Sequence, residues 1–110
     1  MSILKYLGIC TNFGDYPYIT DMLVDWAEFD EKKIDCFLLD DIGMLDFLLK
    51  FIDRTTFSRV LVYDIEEIDS LKNLKSFSNI CRKYNLEWSI IRQDLHSDVA
   101  VEPDYLLKVV

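Results

Sequence analysis

The chain alternates short apolar runs with amphipathic segments, and this alternation restricts the folds open to it. Four apolar runs are short enough to be strands, and they occupy residues 3–9, 34–39, 59–63 and 86–91. Strands joined through helices run parallel with right-handed crossovers. Because the runs are almost uninterrupted, they fit a sheet buried on both faces. The sequence therefore predicts an α/β fold: a small, open, mainly parallel sheet of four to five strands with helices on both faces.

Three segments between the runs have the spacing of helices. The first follows a turn at residues 12–15, where Asp15 suits the N-cap and Pro17 the first helical turn. Its apolar face consists of Ile19, Met22, Leu23 and Trp26. The second helix covers Gly43–Ile52, and the third begins after Ser70. These segments supply the crossovers that a parallel sheet requires.

The tail from Asp94 onward has no clear period. Residues 105–110 fit either a fifth strand or a short helix, and we expect His96, the single histidine, in a surface loop. A length of 110 residues suits one domain, and no linker or repeat divides the sequence. We therefore treat residues 1–110 as a single α/β domain.

The three cysteines, Cys10, Cys36 and Cys81, form no CxxC pair and therefore no zinc-binding pattern. Because their number is odd, at least one thiol is unpaired within the chain. The sequence shows neither a signal peptide nor an apolar run of transmembrane length. We expect a reduced, cytoplasmic protein with no membrane partner and no cofactor.

The chain is acidic, with 12 basic and 20 acidic residues and a formal net charge of −8. Residues 1–53 hold most of the excess. Nonspecific DNA affinity depends mainly on attraction to phosphates, so we expect no direct binding to duplex DNA. The basic residues of the third helix are Lys72, Lys75, Arg82 and Lys83. We interpret that side of the helix as a solvated surface.

Five acidic residues follow two of the predicted strands. Asp40 and Asp41 follow the second strand, and Asp64, Glu66 and Glu67 follow the third. The carboxyl ends of parallel strands share one edge of the sheet, where open α/β proteins bind ligands. Such an acidic mouth can hold Mg²⁺ or form a solvated rim. The acidity of the whole first half favours the rim, so we predict no metal site.

Cys10 ends the first strand, close to a helix N-terminus that would favour a thiolate. No basic residue lies nearby in sequence, and a small buried side chain is the simpler interpretation. The loop after it has one glycine, Gly14, and neither the GxGxxG spacing nor the P-loop lysine. Asp15 would also repel a phosphate at that helix N-terminus. We expect a buried Cys10 and no nucleotide site.

The segments also match a known pattern in order and spacing. The first strand contains Tyr6-Leu7-Gly8-Ile9-Cys10-Thr11, the next helix contains Trp26-Ala27, and the second strand ends in Asp40-Asp41. The leucine-rich stretch Leu45–Leu49 and the strand and acidic turn Val60–Ser70 follow. Over residues 3–92 the chain resembles the catalytic domain of the serine recombinases, the resolvases and invertases. The resemblance implies a resolvase-like fold in which the nucleophilic serine corresponds to Cys10.

The residues that carry catalysis in that family are replaced here. The arginine two residues before the serine falls on Gly8, and two further arginines fall on Glu67 and Ser70. Phosphoryl transfer needs cationic groups around the phosphate, whereas a carboxylate repels it. The resemblance therefore implies a domain that is not an enzyme, with Cys10 at a vestigial nucleophile position.

The second predicted helix is apolar on nearly every side. The helix has more apolar residues than packing on one sheet face requires, and the surplus includes Met44, Phe47 and Phe51. We therefore predict that these residues contact a protein partner or a second copy. We expect a non-catalytic, resolvase-like domain that acts through protein–protein contacts, regulating a recombinase or another DNA-acting enzyme. The alternative is a small acidic inhibitor, a toxin immunity protein or DNA mimic, that covers a basic active site. A third possibility is a metal-dependent enzyme that uses the acidic mouth.

Overall fold

The computed structural model describes residues 4–68 and 71–98, in which three α-helices alternate with strands. The strands are β1 (Lys5–Cys10), β2 (Ile34–Leu38), β3 (Phe57–Val62), β4 (Glu87–Ile90) and β5 (Leu95–His96). The helices are α1 (Tyr16–Phe29), α2 (Met44–Phe51) and α3 (Leu71–Lys83), with short 3₁₀ turns at Arg54–Thr56 and Ile65–Ile68. The predicted α/β fold is confirmed. No helix within these two ranges is long and apolar enough to cross a membrane.

The strands form one sheet in the order β2-β1-β3-β4-β5. β1 pairs in parallel with β2 and β3, β3 pairs in parallel with β4, and β5 is antiparallel to β4. This arrangement confirms a mainly parallel sheet of four to five strands. The resolvase-like fold within that class stays a prediction.

β5 departs from what we expect of the tail. The chain turns back after β4, and Asp94 makes the turn at a φ of 55°, a conformation that Asp and Asn adopt more readily than most residues. The Asp94 N–H donates to the Ile91 carbonyl at 3.1 Å. The expectation of a loop at His96 is wrong, because a two-residue return strand has no periodicity to reveal it. The element predicted at residues 105–110 lies outside the described residues.

Helices pack on both faces of the sheet. α2 and α3 cover one face, where the buried core includes Leu7, Ile9, Leu45, Leu49, Val60, Val62, Phe77, Cys81 and Ile90. α1 covers the other face, where the buried core consists of Tyr6, Cys10, Ile19, Leu23, Ala27 and Leu61. The connection from β1 leads to β2 at one edge of the sheet, whereas the connections after β2 and β3 lead toward the other edge. Because all these connections are right-handed, α1 lies on the opposite face of the sheet from α2 and α3.

Gly8 lets α1 sit close to the sheet. A Cβ atom on Gly8 would lie 2.8 Å from Cys36 Sγ, 3.0 Å from Ile34 Cδ1 and 3.2 Å from Leu23 Cδ1. Interiors are packed too densely to absorb such contacts without a shift. The position that the recombinase resemblance assigns to an arginine is therefore surrounded by packed side chains.

A polar network fills the sheet face beside α1. Arg59 Nη1 donates to Ser89 Oγ at 2.7 Å, and Ser89 Oγ lies 2.7 Å from His96 Nδ1. The other ring nitrogen of His96, Nε2, lies 2.7 Å from an Asp94 carboxylate oxygen. The imidazole also stacks on the Trp26 ring, with the ring centroids 6.0 Å apart. Ser89 is fully buried, so no substrate reaches its hydroxyl. We therefore assign this network to the attachment of β5.

Candidate functional site

The strand order reverses between β1 and β3, and the segments that leave these two strands diverge. In open α/β sheets this switch point forms a crevice beyond the carboxyl ends of the strands. Here it is a cleft of about 550 Å³ between the start of α1 and the segment after β3. Its walls include Thr11, Asn12, Asp15, Tyr18, Tyr63, Asp64, Glu66, Glu67 and Arg92. We call it the switch-point cleft.

Glu67 joins the two sides of the cleft. Its carboxylate accepts a hydrogen bond from the Thr11 N–H at 2.6 Å and another from the Thr11 hydroxyl. The same hydroxyl also contacts the Glu67 carbonyl at 3.0 Å. Glu67 is buried, and these bonds compensate for its lost hydration. Its carboxylate therefore ties the loop after β1 to the turn after β3.

Asp64 is also buried and also has partners. Its carboxylate accepts from the Glu66 N–H at 3.0 Å and from Gln93 Nε2 at 3.0 Å, and it forms an ion pair with Arg92 at 2.6 Å. Burial raises the pKa of this carboxyl, but the three donors outweigh burial and lower the pKa of Asp64 below its usual value. Asp64 is thus an anion held by the backbone and by the segment that follows β4.

The remaining acidic side chains are exposed and spread along the rim. Glu66 borders both the switch-point cleft and a second cavity of about 600 Å³ on the α2–α3 side. Asp40 and Asp41 border the second cavity, and Asp41 accepts from the Gly43 N–H at 2.7 Å. Within residues 4–68 and 71–98, no group of three His, Cys, Asp or Glu side chains is placed to hold a metal ion. Of the five predicted residues, Asp64 and Glu67 are buried and partnered, whereas Asp40, Asp41 and Glu66 are exposed; we call the five residues the acidic rim.

Cys10 is buried at the base of this rim. Its Sγ lies 3.5 Å from the Asn12 carbonyl oxygen and 3.9 Å from Glu67 Oε1. Burial raises the pKa of the Cys10 thiol, and the negative charges of Glu67 and Asp15 act in the same direction. A reactive cysteine needs the opposite environment, a positive charge that stabilises its thiolate.

Asp15 stands at the start of α1 but does not cap it through its side chain. Its carbonyl accepts from the Ile19 N–H at 3.0 Å, whereas its carboxylate accepts from Asn12 Nδ2 at 3.3 Å. The predicted N-cap position of Asp15 is therefore confirmed, but its side chain makes no capping hydrogen bond. Asn12 Oδ1 organises the turn instead, accepting from the Gly14 and Asp15 N–H groups at 3.1 Å. The Asp15 carboxylate is left on the wall of the switch-point cleft.

Sequence reasoning missed the aromatic wall of the cleft. Tyr18 and Tyr63 meet edge to face, with ring centroids 5.9 Å apart and hydroxyl oxygens 3.4 Å apart. Tyr18 is exposed on α1, and Tyr63 is half-buried directly after β3. A tyrosine at the carboxyl end of the predicted third strand was the available signal, but the sequence of α1 alone does not reveal Tyr18 as its partner. Sequence reasoning also missed Arg92, because its ion pair with Asp64 joins two segments that are distant in sequence.

A second surface is formed by α2. Leu45 and Leu49 are fully buried, whereas Met44, Phe47 and Phe51 are exposed by 39%, 58% and 73%. The rings of Phe47 and Phe51 pack on each other with centroids 4.8 Å apart. We call Met44, Phe47 and Phe51 the α2 face. Its three residues are those that the sequence singled out, and the described part of the chain leaves them open to solvent.

No family model, curated protein or solved structure matches the chain. The resemblance to the serine recombinases therefore stays a prediction, and the site is interpreted from its own geometry.

Proposed function

We propose that this chain is a non-catalytic, resolvase-like domain that works by binding protein through the α2 face. The observation that carries this proposal is the pair of adjacent, exposed phenylalanine rings, Phe47 and Phe51. Scattered apolar residues are normal on a protein surface, but an aromatic pair on one helix face is typical of a contact site. The first partner to test is a second copy, and the functional partner in the resolvase-like interpretation is a recombinase or another DNA-acting enzyme.

The energy available at this surface is large enough for a specific contact. A phenylalanine side chain buries roughly 200 Å² when it is fully enclosed. At about 25 cal/mol per Å², covering the exposed 58% of Phe47 and 73% of Phe51 contributes roughly 6–7 kcal/mol before the entropic cost of association. That is the scale of an interface hot spot.

The strand-end geometry supports a non-catalytic role. Gly8 has no room for the arginine that the resemblance assigns to it, Cys10 is buried, and Glu67 places a carboxylate beside Cys10. A phosphate approaching this edge would meet negative charge where phosphoryl transfer needs positive charge.

Sedimentation velocity across a range of concentrations tests the proposal. We expect the wild type to associate reversibly and Phe47→Ser to remain monomeric while retaining its circular dichroism spectrum. Phe29→Ser is the matched control, because Phe29 is 91% exposed on α1 and lies outside the α2 face. A wild type that is monomeric throughout refutes self-association.

The hetero-partner form of the proposal is tested with a photo-crosslinking residue at position 47 in the full chain, expressed in cells. We expect a discrete cross-linked protein from position 47 and none from position 29. Equal labelling at both positions, or none at either, together with a monomeric wild type, would refute protein binding through the α2 face.

A second candidate function is supported by the acidic rim. Its exposed members Asp40, Asp41 and Glu66 lie at one end of the sheet together with Asp15, and the chain carries a net charge of −8. Such a surface suits an inhibitor that covers a basic active site, because complementary charge speeds association and orients the partner. Binding that weakens steeply with salt and is lost in Asp40→Lys/Asp41→Lys, but not in Phe47→Ser, would favour this function over the first.

A further inference from the structure

The switch-point cleft combines an aromatic corner with two carboxylates that form no salt bridge within the described residues. Tyr18 and Tyr63 form the corner, with their rings nearly perpendicular. Asp15 and Glu66 line the same cleft. Neither of these two carboxylates forms a salt bridge with another residue among those described, whereas Asp64 is paired with Arg92.

The charge of the cleft is negative even with Arg92 included. Its walls hold the carboxylates of Asp15, Asp64, Glu66 and Glu67 against the single guanidinium of Arg92. That guanidinium pairs with Asp64, whose oxygen lies 2.6 Å away, and interacts with Glu66 only at longer range, so one positive charge stands against four carboxylates. An anionic ligand is therefore disfavoured, and a cationic one is favoured.

We propose that the switch-point cleft receives an arginine side chain from a basic protein partner. The inference rests on the second candidate function, the binding of a basic protein by the acidic rim, and assigns its central contact. A guanidinium is planar, stacks on a tyrosine ring and donates paired hydrogen bonds to a carboxylate. Tyr18 and Tyr63 line the cleft with aromatic surface, and Asp15 and Glu66 line it with hydrogen-bond acceptors.

The size of the cleft agrees with an inserted side chain. A volume of about 550 Å³ is larger than one side chain, so the cleft has room for a guanidinium group. A lysine ammonium would satisfy the charge but not the stacking geometry, because it is a compact, strongly hydrated point charge. Arginine is thus the residue that uses both features of the wall.

The test uses the full chain and two small probes, N-acetyl-arginine methylamide and its neutral isostere N-acetyl-citrulline methylamide. Two-dimensional ¹H–¹⁵N NMR follows the titration. We expect saturable shifts at the amides of Thr11, Asn12, Tyr18 and Tyr63 with the arginine probe, and none with the citrulline probe. Asp15→Asn/Glu66→Gln should weaken binding about fivefold, the scale of two partly exposed ion pairs. Asp25→Asn/Glu28→Gln is the control, because it removes the same charge from exposed residues of α1 outside the cleft.

Several outcomes would overturn the inference. Equal shifts with arginine and citrulline, or equal weakening in the two double variants, would show that the cleft does not recognise a guanidinium. Saturable shifts of the same amides with MgCl₂ but not with arginine would identify a metal site. A lysine probe as effective as arginine would remove the role of the tyrosine corner. Asp40→Lys/Asp41→Lys changes the acidic rim outside the cleft, so loss of basic-protein binding with arginine binding retained separates failure of the rim function from failure of the cleft.

Discussion

Replacing Gly8 with alanine tests the close contact between α1 and the sheet. The added Cβ would lie 2.8 Å from Cys36 Sγ and 3.0 and 3.2 Å from two methyl groups, so the neighbours must move. Overpacking of this kind costs about 1–3 kcal/mol. Restricting the unfolded chain returns roughly 0.4–1 kcal/mol. We therefore expect Gly8→Ala to lower the free energy of unfolding by about 1–2 kcal/mol.

Urea denaturation followed by circular dichroism measures this loss. With a slope of roughly 1–3 kcal/mol per molar urea, the midpoint should fall by about 1 M. Gly14→Ala is the matched control, because its Cβ would meet only Asn12 Oδ1, at the ordinary contact distance of 3.5 Å. We expect that variant to unfold at nearly the wild-type midpoint.

A double variant identifies the source of the loss. Cys36→Ala removes the nearest obstructing atom, so Gly8→Ala/Cys36→Ala should be less destabilised than the sum of the two single changes, by about 1 kcal/mol. Strict additivity would show that Cys36 does not obstruct position 8. A Gly8→Ala variant as stable as the Gly14→Ala variant would refute the close approach altogether.

Three further predictions concern thiols, acid stability and DNA. Burial raises the pKa of Cys36 to about 11 and that of Cys81 to about 12, so native thiols should react with iodoacetamide far more slowly at pH 8 than urea-unfolded thiols; equal rates would contradict the burial. The lowered pKa of Asp64 stabilises the fold above the unfolded carboxyl pKa of about 4, and this contribution is lost as the pH falls through the folded pKa. Arg92→Gln, with Arg82→Gln as the exposed control, should therefore lower the urea midpoint at pH 7 by an amount that shrinks at lower pH, and a pH-independent difference would count against the ion pair. The net charge of −8 predicts no gel shift of duplex DNA at physiological salt, and submicromolar binding abolished by Lys75→Glu/Arg82→Glu would reverse that conclusion.

Most of the fold was predictable because it depends on apolar periodicity. The stretch Val60–Val62 of β3 is apolar without interruption, and this pattern indicates a strand buried on both faces. β5 was not predictable, because it consists of two residues placed by a turn and held by Arg59, Ser89 and Trp26 from three other elements. Local sequence carries no record of such partners.

The candidate site, like the fold, was predictable only in part from the sequence. The strand-end position of the acidic residues followed from the order of strands and helices, since parallel strands share their carboxyl edge. Which carboxylates are buried depends instead on partners distant in sequence: Thr11 for Glu67, and Arg92 and Gln93 for Asp64. The exposure of Phe47 was foreseeable because α2 has more apolar residues than one sheet face can cover.

Restoring the catalytic residues of the resembled family would not create its active site in this chain. An arginine at position 8 would need the space that Cys36, Ile34 and Leu23 occupy, and a serine at position 10 would remain buried. We expect the variant Gly8→Arg/Cys10→Ser to lose its cooperative urea transition and to form no covalent adduct with supercoiled DNA. The single variant Cys10→Ser should keep the fold and also form no adduct, because the hydroxyl would lie beside the Glu67 carboxylate rather than beside cationic groups. A DNA adduct at position 10 in either variant would show that the strand end opens to phosphate, and the non-catalytic interpretation would then fail.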